Sequence, residues 1–110
     1  MNEEELRRYL ELAAGVPLLG KSDEFRLSFA AKQGDESARN QILQSNARLV
    51  VSIARRYSQS GVDLGSLVEV GDVGLRKALD SFDADKGYRF STYATWFIRQ
   101  AITRRIADGN

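Results

Sequence analysis

Toward its C-terminal end the sequence places Tyr93, Trp96 and Phe97 at i, i+3 and i+4, with Gln100, Thr103 and Arg104 one to two turns further on. Projected at about 100° per residue, these six share one side of a helix, while Ala94, Ile98, Ala101 and Ile102 take the other. Aromatic rings beside cations are what unpaired nucleic acid requires. A base taken out of a duplex regains roughly 1–3 kcal/mol by stacking on a ring, and Lys or Arg neutralises the adjacent phosphate. Gln, Thr and Arg also read base edges or hold the backbone of duplex DNA. The competing reading is an ordinary core stripe, because aromatics at this spacing commonly pack inward. Two features weigh against it: a small-aliphatic face already serves as core, and the surrounding stretch is free of acids. From Lys86 to Ile106 there are five bases (Lys86, Arg89, Arg99, Arg104 and Arg105) and no Asp or Glu.

That segregation is hidden in the formal net charge of +1, since residues 1–45 hold eight acids against six bases. The basic end is where a polyanion would bind. Other chemistries lack their parts. With no Cys and no His there is no thiolate, no imidazole general base and no zinc site of the Cys/His kind. Asp83 and Asp85 lie in a polar turn and read as caps or solvated charges. Gly71–Gly74 spells the GxxG of a KH-type RNA binder, but that fold needs strands this sequence lacks. The expectation is a binding protein, not an enzyme, with no cofactor. An acidic opening and the absence of any apolar stretch of membrane-spanning length point to a cytoplasmic protein.

The elements that position these residues are all helical, because 3.6-residue periodicity recurs and no alternating β-branched run appears. A first helix from about Glu3 to Ala14 carries Leu6 and Leu10 inward and stops at Gly15, with Pro17 in the connector that follows. Ser22 or Asp23 is placed to cap a second helix whose Phe25, Leu27, Phe29 and Ala30 serve packing. Gly34-Asp35 separates it from a short third helix with Ala38, Ile42 and Leu43. A fourth, about Asn46 to Tyr57, has the broadest apolar face. A fifth, Leu64 to Phe82, turns Leu67, Val68, Leu75, Ala78, Leu79 and Phe82 inward. Gly71 and Gly74 stand inside that helix at a cost of roughly 1 kcal/mol each relative to Ala, which implies close approach of another helix or a partner. The turn DADKGYRF leads to the last helix, with Ser91 or Thr92 as its cap and its end near Ala107.

Read as a whole, GYRFSTYATWFIRQAITRRIAD at 87–108 resembles the promoter-melting segment of bacterial sigma factors of the sigma-seventy family. NARLVVSIARRY at 46–57, VPLL after the first helix and GLRKALDSFD at 74–83 are similar to the same family in the same order. The resemblance implies an all-α, compact bundle of about five to six helices of the sigma domain-two type. It implies one unit over 1–110, with packing helices at 1–34, core and polymerase-facing helices at 35–82, and a promoter DNA-binding turn and helix at 83–110.

Residue by residue, Trp96 and Phe97 match the aromatic pair at the upstream edge of the transcription bubble, and Phe97 stands where Trp is usual. Gln100, Thr103 and Arg104 match residues facing the adjacent duplex, with Arg99 among the bases beside them. Phe82, Lys86, Tyr88, Arg89, Thr92 and Tyr93 match a pocket for the flipped adenine of the minus-ten element. Asn46 and Leu49 match a second flipped-base pocket. Ser66, Leu67, Glu69, Val70, Asp72 and Leu75 fall on the helix that docks on the RNA polymerase clamp coiled coil, although Ser66, Glu69, Val70 and Asp72 depart from the usual Asp, Gln, Glu and Asn. The implied partners are single-stranded non-template promoter DNA with its flanking duplex, RNA polymerase core and an anti-sigma factor, and no membrane. The alternative is a sigma-like module that binds polymerase or a regulator without melting DNA.

Overall fold

A computed structural model describes residues 1–109. Six α-helices follow in order: α1 (Glu3–Gly15), α2 (Lys21–Lys32), α3 (Glu36–Ser45), α4 (Ala47–Arg55), α5 (Leu64–Ser81) and α6 (Phe90–Ala107), with 3₁₀ turns at Ser58–Ser60 and Ala84–Lys86. No strand occurs among the described residues. None of their helices is long and apolar enough to cross a membrane.

Three starts are written locally. Asn2 and Glu5 form a reciprocal capping box on α1, the Asp35 carboxylate accepts from the Ala38 N–H of α3, and Asp63 accepts from both the Ser66 N–H and its hydroxyl on α5. Two expected caps are not used. Helix α2 begins on Gly20 with no side-chain cap, ahead of Ser22 and Asp23. Helix α6 begins at Phe90, so Ser91 and Thr92 are already inside it, and its leading N–H is satisfied from elsewhere in the chain.

The core lies where α4, α5 and α6 meet, with α3 closing one side. Ile42, Val50, Ile53, Leu67, Val68, Leu75, Ile98 and Ile102 are inaccessible, and α6 turns its small-aliphatic face to this center as its periodicity requires. The close approach implied by the glycines of α5 is that of α6. A Cβ on Gly74 would stand 2.6 Å from the Phe97 carbonyl oxygen and 3.1 Å from Ile98 Cα, so the two backbones touch there. A Cβ on Gly71 would meet Val50 Cγ1 at 3.0 Å.

Helix α2 departs from its expected role. Leu27 is buried, but Phe25 and Phe29 point outward and are 48% and 63% exposed, while Glu24 is 6% exposed on the inner face. Burying Glu24 is possible because it meets a cation and an N–H there, a partnership that helical periodicity does not reveal.

Candidate nucleic-acid interface

Four rings at the start of α6 and in the turn before it form an arc. Tyr88 and Tyr93 are near-parallel with centroids 5.8 Å apart, Tyr93 and Phe97 are 5.0 Å apart, and Phe97 and Trp96 meet edge-on at 5.2 Å. Trp96 is 61% exposed, whereas Tyr93 and Phe97 rest one side against the core. The two readings of this stripe are thus divided among its members, with Trp96 wholly outward and its neighbours half inward. The Tyr93 hydroxyl shares a hydrogen bond with Ser81 at the end of α5, 2.8 Å away, which holds the ring's far edge. Pre-set rings lose little entropy when a base stacks on them.

Phe82 lies inward, as the apolar stripe of α5 implied, and not in the wall of the flipped-base pocket that the resemblance implied. It is buried beneath the arc, 5.1 Å from Phe90 and 5.9 Å from Tyr88 by ring centroid, so it supports the exposed rings and offers no face to a ligand. Its position at the C-terminus of α5, where the chain turns back across the core, explains the burial.

Arg89 is likewise committed. Its Nε donates to Glu24 Oε2 at 3.1 Å, and its Nη2 donates to the Leu19 carbonyl at 2.8 Å and to Glu24 Oε1 at 3.4 Å. The Phe90 N–H donates to the same Glu24 Oε2 at 3.0 Å, so one carboxylate neutralises Arg89 and caps α6. The clasp draws Arg89 away from the aromatic arc toward a second hollow of about 210 Å³. That hollow is lined by Leu18, Leu19, Glu24, Ser45, Asn46, Arg89 and Ser91. Asn46 borders it, with its amide donating to the Ile42 carbonyl at 2.8 Å, and Leu49 is not in its lining. Glu24 is the residue that sequence reasoning missed. Its partner lies 65 positions away, and no local pattern marks it.

Lys86, Thr92, Arg99, Gln100, Thr103 and Arg104 are all exposed. Among the described residues, no carboxylate pairs with Lys86, Arg99 or Arg104, in contrast to Arg7, Arg39, Arg76 and Arg89. The Thr103 hydroxyl donates back to the Arg99 carbonyl at 2.9 Å, which leaves its lone pairs outward. Arg105 reaches past the helix end and donates to the Gly109 carbonyl.

On α5 the six expected partner-facing residues separate. Leu67 and Leu75 are fully buried in the core and cannot touch a partner. Asp72 is held by the Tyr9 hydroxyl at 3.0 Å and by Arg76 Nε at 2.8 Å, and Glu69 pairs with the amino group of Met1. Burial beside Asp72 raises the Tyr9 phenol well above its ordinary range, so this hydroxyl remains a donor. Ser66 and Val70 are partly exposed, and Val70 joins Val73, Lys77, Phe97, Gln100 and Arg104 around a groove of about 360 Å³ between α5 and α6. Val73 and Lys77 on this groove lie outside the set of six that the resemblance implied.

Known proteins resemble this arrangement along the chain. The Sigma-70 region 2 family model matches residues 42–110. An RNA polymerase sigma factor SigA from Clostridium acetobutylicum is 50% identical over 106 residues, covering 96% of this chain and 28% of the relative. A sigma factor of the same name from Bacillus sp is 50% identical over 103 residues, covering 94% of this chain and 27% of that protein. The chain therefore spans little more than a quarter of the length of these relatives. The family model covers α4, α5 and α6 entire, the helices that carry the core, the aromatic arc and the α5–α6 groove, and on that match the chain belongs to the sigma-70 region 2 family.

Proposed function

We propose that this chain acts in bacterial transcription initiation by binding the non-template single strand of the minus-ten promoter element while docked on RNA polymerase. The observation that carries the reading is the ring arc Tyr88–Tyr93–Phe97–Trp96, with Tyr88 and Trp96 open to solvent and Tyr93 and Phe97 half-buried, beside cations that no carboxylate among the described residues neutralises. A flipped base stacks on Tyr88 and Tyr93, with Lys86 on its phosphate and Thr92 at the rim. Trp96 and Phe97 take the place of the lost base pair at the upstream edge, and Gln100, Thr103, Arg104 and Arg99 face the duplex beyond. A second unpaired base enters the hollow at Asn46, where Glu24, Arg89 and Ser91 offer acceptors and donors. Opening draws on binding energy alone, because flipping costs a few kcal/mol and stacking plus phosphate neutralisation return it. Polymerase docks on the outward side of α5 through Ser66, Glu69, Val70 and Asp72, and the work is done in the cytoplasm.

Fluorescence anisotropy with a short single-stranded oligonucleotide bearing the minus-ten motif tests the reading, alongside its complement and a scrambled sequence. Selective binding that weakens with salt is expected, and Trp96→Ala should lower affinity about ten-fold or more. Equal affinity for all three oligonucleotides, or no effect of the substitution, would overturn the site assignment. The non-melting alternative requires Trp96→Ala to leave both promoter opening and polymerase binding unchanged.

A further inference from the structure

A second aromatic surface lies on α2, and its charge is opposite to that of α6. Phe25 and Phe29 are exposed one turn apart and, with the buried Phe82 edge and Ala84, border a groove of about 310 Å³. Asp83 and Asp85 stand on its rim, and no cation pairs with either among the described residues, whose acid–base contacts lie elsewhere. The one lining cation, Lys32, is directed at the Asp80 carbonyl, 3.2 Å away. In the groove wall the Ser28 hydroxyl is buried, with the residue 4% exposed, and has no hydrogen-bond partner; no other buried side-chain polar atom among the described residues lacks one. The oxygen itself is sealed from solvent, so Ser28 shapes the groove wall and offers no bond to an occupant.

We propose that this groove is a docking site for a protein segment presenting an aliphatic side chain next to Lys or Arg. The aliphatic group inserts between Phe25 and Phe29, and the cation meets Asp83 and Asp85. The acidic rim repels phosphate, so nucleic acid is not the occupant, in contrast to the base-rich face of α6. The site is independent of the DNA-binding reading and is tested without DNA.

The test titrates the isotope-labelled chain with two synthetic amphipathic helices that share one leucine stripe, flanked by Lys in one and by Glu in the other. The Lys-flanked helix should shift the amide signals of Phe25, Ser28, Phe29, Ala84 and Asp85, and bind at least about ten-fold more tightly than the Glu-flanked one. Phe25→Ser with Phe29→Ser should abolish binding. Asp83→Asn with Asp85→Asn, which keeps the acceptor that Asp83 offers to the Asp85 N–H, should weaken it about ten-fold. Unchanged dispersion of the remaining signals shows that the variants fold. No binding, equal binding of both helices, or shifts centred elsewhere would overturn the proposal. Concentration-dependent shifts at Phe25 and Phe29 without peptide would overturn it in favour of a second copy of the chain.

Discussion

Glu24 shows how much one side chain decides. It lies on α2, yet it supplies the cap that α6 lacks and the anion that Arg89 needs, and so joins the connector, α2 and α6 at one point. Replacing it with Gln keeps the shape and an acceptor but leaves Arg89 without its counter-charge. Glu24→Gln should cost about 2 kcal/mol, read as a lower urea midpoint at unchanged slope. A midpoint equal to that of the parent would mean that solvent, which reaches much of Arg89, replaces the carboxylate. Asp63 gives a pH-dependent case. Hydrogen bonds from the Ser66 hydroxyl and N–H hold its carboxyl below the ordinary value. The folded form therefore binds the proton less readily than the unfolded form. The resulting stability is present above the unfolded-state pKa and is lost as pH falls through the lower folded value. Thermal melts of the parent and of Asp63→Asn should diverge near neutrality and converge in acid. A constant difference at every pH would show that the charge of Asp63 contributes nothing.

The pairing of α5 with α6 is set by glycine at the scale of elements. Gly74 lets the α6 backbone at Phe97 and Ile98 come within contact of α5, and that spacing fixes the height at which Trp96 and Phe97 emerge from the surface. Gly74→Ala gains helix propensity of roughly 1 kcal/mol but places a methyl against a carbonyl that has no room to yield. The clash should dominate, with net destabilisation of about 1–3 kcal/mol. Calorimetry of this variant beside Gly15→Ala, where a Cβ meets nothing within 4 Å, separates lost space from changed propensity. A higher melting temperature for Gly74→Ala would show that the helices part without penalty.

Across the whole molecule, charge is sorted by face. Carboxylates pair with arginines within α1, α2 and α5 and between α3 and α5, while Lys86, Arg99 and Arg104 on the α6 side pair with no carboxylate among the described residues. A formal charge of +1 thus conceals a cation-rich face, the one on which the proposed DNA binding rests. If each of the three free cations neutralises one phosphate of a single strand, log affinity should fall against log salt with a slope of roughly −2. Arg104→Ala should flatten that slope by roughly 0.7. A slope near zero would show that stacking alone carries the binding.

Sequence periodicity by itself determined the helices, their order and most of the inward residues, because amphipathic repeats are short-range signals, whereas the caps at Asp35 and Asp63 emerged only in the structure. It also determined the aromatic and basic content of α6, and the motif at 87–108 pointed to the family that the match over residues 42–110 then established. What only the tertiary structure decided are relations between distant positions. A helical wheel turned Phe82, Leu67 and Leu75 inward but could not tell what covers them: the ring arc over Phe82 and the close-packed core around the two leucines. Nor could it tell that Phe25 and Phe29 lie open. The cap of α6 was sought nearby at Ser91 and Thr92, where such caps usually occur, and was found on Glu24, because a buried carboxylate facing both a guanidinium and a helix N-terminus satisfies all three at once.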